Sequence, residues 1–124
     1  MAVTVWIGVF VIGGLGAVCR MLADRVVSRR VRIGFPIGTL TVNVSGAFLL
    51  GLLSALALDP HIALLAGTAF VGAYTTFSTW MLETQRLAEE PRRPAAVLNI
   101  VVSVALGLFA VWLGQLLGTR LGGG

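Results

Sequence analysis

Apolar residues run along this chain in four long blocks, about Val3 to Leu22, Gly38 to Leu58, Ala63 to Leu82 and Ala95 to Leu117, separated by short polar or proline-marked breaks. A helix needs about 20 mainly apolar residues to cross a hydrocarbon core of about 30 Å, so each block predicts one membrane-crossing helix. The fold class expected is therefore an all-α membrane protein in which a single four-helix transmembrane domain takes up residues 1–124. Composition agrees: 57% of the residues are hydrophobic and 11% charged, and the mean hydropathy is +0.97. The first block has no basic stretch before it and carries Gly13 to Ala17 inside it, which argues against a cleaved signal peptide.

Each block also carries polar or small residues at helical spacing. In the first, Gly13, Gly16, Ala17, Arg20 and Asp24 share a face, where small residues let another helix approach closely. Arg20 at its end is either a topology arginine or an attractor of anions. In the second, Thr39, Asn43, Gly46 and Ala47 share a face, and a buried Asn43 amide must bond to another helix, a polar path or a ligand. In the fourth, Asn99, Ser103 and Gly107 recur every four residues.

The third block is the most unusual. Gly67 to Trp80 reads GTAFVGAYTTFSTW and sets Thr75, Thr76, Ser78 and Thr79 around Phe77. Hydroxyl side chains compete for backbone hydrogen bonds and glycine is weakly committed to helix, so a break in the third helix is expected near Gly72–Thr75. Irregular backbone at membrane depth persists only where protein buries it or where it lines a polar cavity. The run therefore predicts a mid-membrane site.

Charge then sets orientation. The sequence isoelectric point is about 11.1 and the net charge +4, and every one of the nine basic residues is an arginine. Arg20, Arg25, Arg29, Arg30, Arg32, Arg86, Arg92 and Arg93 fall on the side of the first and third connectors, against Arg120 alone on the other. This is membrane topology rather than nucleic-acid binding: the arginine-rich connectors face the cytoplasm and both termini face outward. Asp59, Pro60 and His61 make a turn into the third span, and Glu83 to Pro94, with Glu89 and Glu90, forms a charged connector. Cys19 is the single cysteine and makes no disulfide or cysteine metal site within one chain.

The spans hold no carboxylate pair, no metal-ligand cluster and no nucleophile with a base, which excludes the usual enzyme chemistries. A small four-helix proton-coupled multidrug-type exporter would need an ionisable group in the membrane interior, whereas Asp24, Asp59 and Glu83 sit at span ends. A non-conducting structural membrane subunit, its polar faces serving as glue, is the other alternative. A channel needs only oriented donors and dipoles, which these faces supply.

Three runs, GGLGAVCR (Gly13 to Arg20), FPIGTLTVNVSGAFLLG (Phe35 to Gly51) and GAYTTFSTWMLE (Gly72 to Glu83), resemble the bacterial Fluc (CrcB) fluoride channels. The resemblance implies an antiparallel, dual-topology-type dimer in the bacterial plasma membrane, with two narrow pores that export cytoplasmic fluoride passively and a structural sodium ion at the dimer centre. By position it implies that Asn43 donates its amide to fluoride and that Phe77 presents a ring edge to the anion, with Ser78, Thr79, Trp80 and Ser103 along the pore. It places Arg20 in a vestibule, and the backbone carbonyls of Gly72 and Thr75 around sodium. Fluoride is small and strongly hydrated, so a selective pore must replace its water with close donors. Three positions depart from the family pattern: Trp80 where a second pore phenylalanine is usual, Met81 where a serine is usual, and Asn99 where a tyrosine is usual. The dimer partner is either a second copy or an oppositely oriented homologue. The arginine bias favours the homologue, because a homodimer of this kind needs one sequence to insert both ways.

Overall fold

The computed structural model describes residues 2–31, 34–89 and 92–122, so that Arg32 and Glu90 of the two basic-side connectors lie outside the described residues. Among the described residues the regular elements are all helical. Helix α1 spans Ala2–Arg30 and α2 spans Ile37–Ala55. The third segment is composite: α3 (Pro60–Ala63), a π-helical stretch Leu64–Val71, α4 (Gly72–Tyr74) and α5 (Ser78–Glu89). Helix α6 spans Arg93–Leu121. Four segments, Ala2–Arg30, Ile37–Ala55, Pro60–Glu89 and Arg93–Leu121, are long and apolar enough to cross a membrane. This is a multi-pass membrane protein.

Three of the four segments outrun their hydrophobic blocks, whereas α2 ends at Ala55, short of Leu58. Helix α1 continues through Arg25 to Arg30, where Arg29 and Arg30 occupy its last turn and complement the negative end of the helix dipole. Helix α5 likewise carries Glu83, Arg86 and Glu89 in what reads as connector. Proline and aspartate set the starts. Pro36 immediately precedes α2, and Asp59 caps α3 by accepting from the His61 amide at 2.9 Å with Pro60 at the first helical position. The turn before α2 passes through Gly34 at φ +69°, a left-handed conformation that glycine adopts without steric cost.

Glycine governs the packing. A Cβ built on Gly51 would strike the Val111 carbonyl, one on Gly114 the Phe48 carbonyl, and one on Gly118 would lie 2.6 Å from the Leu52 carbonyl oxygen. Helices α2 and α6 are thus in backbone contact along most of their shared length, the close approach that stabilises helix pairs in lipid. Gly16 of α1 meets the Phe70 carbonyl in the same way, and Gly38 at the start of α2 leaves room for Asp24 and Ser28 of α1. Large apolar side chains such as Phe10, 78% exposed, and Leu108, 68% exposed, point away from the bundle towards lipid or another chain.

Candidate functional site

The third segment changes conformation where its hydroxyl residues begin. Its π-helical stretch is wide enough that the Gly72 amide reaches the Gly67 carbonyl five residues back. Helix α4 then ends at Tyr74, and Thr75 is extended at φ −84°, ψ 161°. Thr75–Phe77 lie between α4 and α5 and belong to neither helix.

The side chain of Asn43, reaching from α2, satisfies that exposed backbone. Asn43 Nδ2 donates to the Thr76 carbonyl at 2.9 Å, while Asn43 Oδ1 accepts from the Thr76 amide at 2.8 Å. The amide pairs with Thr76 as a neighbouring strand would, and one of its two N–H bonds remains uncommitted to Thr76. Thr76 in turn closes the start of α5: its Oγ1 accepts from the Thr79 amide at 3.2 Å and donates to Thr79 Oγ1 at 3.2 Å, and it lies 3.5 Å from Ser78 Oγ. Thr75 donates its hydroxyl back to the Val71 carbonyl at 3.1 Å, and Ser45 of α2 meets the Tyr74 hydroxyl at 2.9 Å.

These substitutions release two carbonyls. In an uninterrupted helix the Thr76 amide would bond to Gly72 and the Thr79 amide to Thr75. Here the first is taken by Asn43 Oδ1 and the second by Thr76 Oγ1. The carbonyl oxygens of Gly72 and Thr75 therefore lose these helical partners, and oxygen donors of this type are the kind that could hold a hard cation. Among the described residues no three His, Cys, Asp or Glu side chains come together as a metal site.

A cavity of about 660 Å³ opens between α2 and the third segment, with Asn43, Gly46, Gly72, Thr75, Phe77 and Trp80 on its walls. Gly46 admits the Thr75 methyl group against α2, which a Cβ would displace. Phe77 is 71% exposed at the mouth, and its ring meets Trp80 edge to face, with centroids 5.6 Å apart and planes at 68°. Aromatic edges carry the positive part of the ring quadrupole, so this pair can present positive edge density to an anion. The Trp80 indole Nε1 is buried with no acceptor among the described residues.

The structure distributes the other expected residues differently. Ser78 and Thr79 belong to the α5 capping network rather than to the cavity walls. Arg20 is half-buried against the back of the interruption, with Nε 3.5 Å from the Ala73 carbonyl. Ser103 lies on α6, away from the Asn43 cavity, with its hydroxyl 3.5 Å from Asn99 Oδ1. Thr84 is a residue that sequence reading missed: it receives a hydrogen bond from Asn99 Nδ2 at 2.9 Å and donates to the Trp80 carbonyl at 2.8 Å. The only signal for it was the unpaired Asn99, which required a polar partner somewhere.

Comparison with known proteins places the chain in a family. Positions 7–115 match the family described as CrcB-like protein, Camphor Resistance (CrcB). The chain belongs to the CrcB family. One relative, the Fluoride-specific ion channel FluC 2 of Mycobacterium tuberculosis, is 64% identical over 115 residues, covering 93% of this chain and 91% of the relative. The Fluoride-specific ion channel FluC 1 of Leifsonia xyli is 44% identical over 122 residues, covering 95% and 89%. The FluC 1 of Symbiobacterium thermophilum is 40% identical over 119 residues, covering 91% and 96%. In this CrcB chain the three positions where the resemblance implies other residues fall on α5 and α6: Trp80 at the cavity, Met81 half-buried beside it and Asn99 buried at 1% exposure.

Proposed function

We propose that this chain is a subunit of a fluoride-selective channel through which fluoride leaves the cytoplasm passively, lowering its toxicity. The observation that carries the reading is the 64% identity, over more than nine-tenths of both chains, to a relative named as a fluoride-specific ion channel. The geometry supports it. The N-terminus of α5 opens at the interruption, where the positive end of the helix dipole favours an anion. Asn43 has an N–H to spare, and Phe77 offers a ring edge beside it. On this reading the interruption of the third helix lies at membrane depth, Asn43, Phe77 and Trp80 border the fluoride path at the cavity, and Ser78, Thr79 and Ser103 border it further along, outside the cavity walls. Arg20 raises the anion concentration near its entrance.

The assembly proposed is an antiparallel dimer in the bacterial plasma membrane, with the arginine-rich connectors of this chain cytoplasmic. Gly72 and Thr75 would hold a sodium ion at its centre through their released carbonyls, joined by those of the partner. The eight-to-one arginine distribution favours an oppositely oriented homologue as that partner over a second copy, and the numbers 1 and 2 in the relatives' names are consistent with such pairs.

The test is fluoride efflux from liposomes containing this chain alone or co-expressed with a homologue, read with a fluoride electrode against chloride efflux. Selective fluoride release by either preparation is the expected result, and chloride release at the same rate defeats the reading. A topology reporter on the chain expressed alone separates the partners. A single orientation is expected, and equal populations of both would argue for the homodimer.

A further inference from the structure

We infer that Asn99 is a positioning residue which, through Thr84, fixes the roll of α5 and so the setting of Trp80. Asn99 is 1% exposed and Thr84 8% exposed, and together they join α6 to α5. The hydrogen bonds run in one direction. The hydroxyl proton of Thr84 is committed to the Trp80 carbonyl at 2.8 Å, so its oxygen is free to accept from Asn99 Nδ2 at 2.9 Å. Ser103, four residues along α6, lies 3.5 Å from Asn99 Oδ1 and holds the far side of the amide. Among the described residues this is the side-chain hydrogen bond that links α5 to α6.

Its placement gives it leverage. Helix α5 has 12 residues and comes after the extended Thr75–Phe77 stretch, so no continuous helix transmits an orientation to it from α4. Its roll about its own axis must come from neighbours. Trp80 and Thr84 are four residues apart and lie on one face, so a tether at Thr84 holds Trp80 in the same rotation. Trp80 in turn meets Phe77 edge to face. Losing the tether frees α5 to turn and changes the spacing of that aromatic pair. The consequence for conduction rests on the channel reading above; the consequence for Trp80 does not.

The test uses the full chain with Trp6→Phe and Trp112→Phe, which leaves Trp80 as the sole tryptophan. In reconstituted protein, Asn99→Leu and Thr84→Val should each shift the Trp80 emission maximum and raise its acrylamide quenching about twofold or more. Thr84→Ser, which keeps the hydroxyl, should leave both unchanged. The pair Asn99→Leu with Thr84→Val should do no more than either alone, since both remove one tether. This pair also leaves neither partner of the Asn99–Thr84 bond unpaired, so it remains informative if Asn99→Leu alone does not fold. Unaltered Trp80 fluorescence in the folded variants overturns the inference. In the native-tryptophan protein, Asn99→Leu should slow fluoride efflux about tenfold, but less than twofold once Trp80→Phe is present. Equal slowing in both backgrounds means that Asn99 does not act through Trp80, and likewise overturns it. Absence of efflux from every preparation counts against the channel reading, and the fluorescence then decides the positioning role by itself.

Discussion

Replacing Asn43 with leucine isolates what holds the interruption in place. The substitution keeps the side chain's approximate size but removes both bonds to Thr76, the 2.9 Å donation to its carbonyl and the 2.8 Å acceptance from its amide. Each backbone group left unpaired away from water costs about 1–3 kcal/mol, so the loss amounts to about 2–6 kcal/mol, borne locally by residues 75–77. At about 1.4 kcal/mol per tenfold, even the lower bound raises the opening of this stretch about 30-fold. Hydrogen–deuterium exchange on the purified protein reads the effect directly. The Thr76 amide should lose at least that much protection, while amides in the middle of α1 and α6 keep theirs. Asn43→Asp sharpens the test, because it retains an acceptor for the Thr76 amide but sets a carboxylate oxygen against the Thr76 carbonyl. Thr76 should be better protected in Asn43→Asp than in Asn43→Leu. Unchanged protection of Thr76 in Asn43→Leu, or a loss spread evenly over the whole bundle, would refute the assignment of Asn43 as a local clip.

Other substitutions test other parts of the fold. Gly114→Ala should lower the melting temperature of the detergent-solubilised protein by several degrees, since the added methyl strikes the Phe48 carbonyl and lies 2.8 Å from the Leu52 amide nitrogen; overpacking of this kind costs about 1–3 kcal/mol. Gly14→Ala, where nothing lies within 4 Å, should cause no such fall. Gly34→Ala should cost about 1–2 kcal/mol in the same melt because of its φ of +69°, and Gly34→Asn should cost less. Exchanging sodium for a large organic cation should lower the melting temperature if the Gly72 and Thr75 carbonyls hold sodium, and an unchanged melt would remove the ion from that site.

Periodicity made much of the scaffold legible. Gly13, Gly16 and Arg20 announced a packed face by spacing alone, and the structure sets Gly16 on the Phe70 carbonyl and Arg20 by the Ala73 carbonyl. Helix ends were less legible, because the arginines that mark the membrane boundary on α1 are compatible with continued helix and even favoured in its last turn. Asn43 declared that it needed a partner, since a buried amide cannot stay unpaired. The identity of that partner was hidden, because the Thr76 backbone is available only once helix has been given up there. Thr84 was hidden differently: it lies among Glu83, Gln85 and Arg86, where the surrounding polarity reads as solvated connector. The π-helical stretch left no mark at all, for LLAGTAFV is equally compatible with an α-helix.

The glycine contacts and the two asparagines depend on one another. Gly51, Gly114 and Gly118 bring α2 and α6 into backbone contact, which fixes the two helices as one rigid frame. Asn43 projects from one member of that frame and Asn99 from the other, and both amides reach the third segment: Asn43 bonds to Thr76 within the interruption, Asn99 to Thr84 two turns into α5. A stretch outside regular helix would otherwise be free to shift, since neither α4, with three residues, nor the extended Thr75 constrains the position of α5. Held at two points from a single frame, it has one position. A bulky residue at Gly114, although far from the cavity in sequence, should therefore disturb Thr76 and Thr84 together, whereas loss of either amide should disturb only its own side of the interruption.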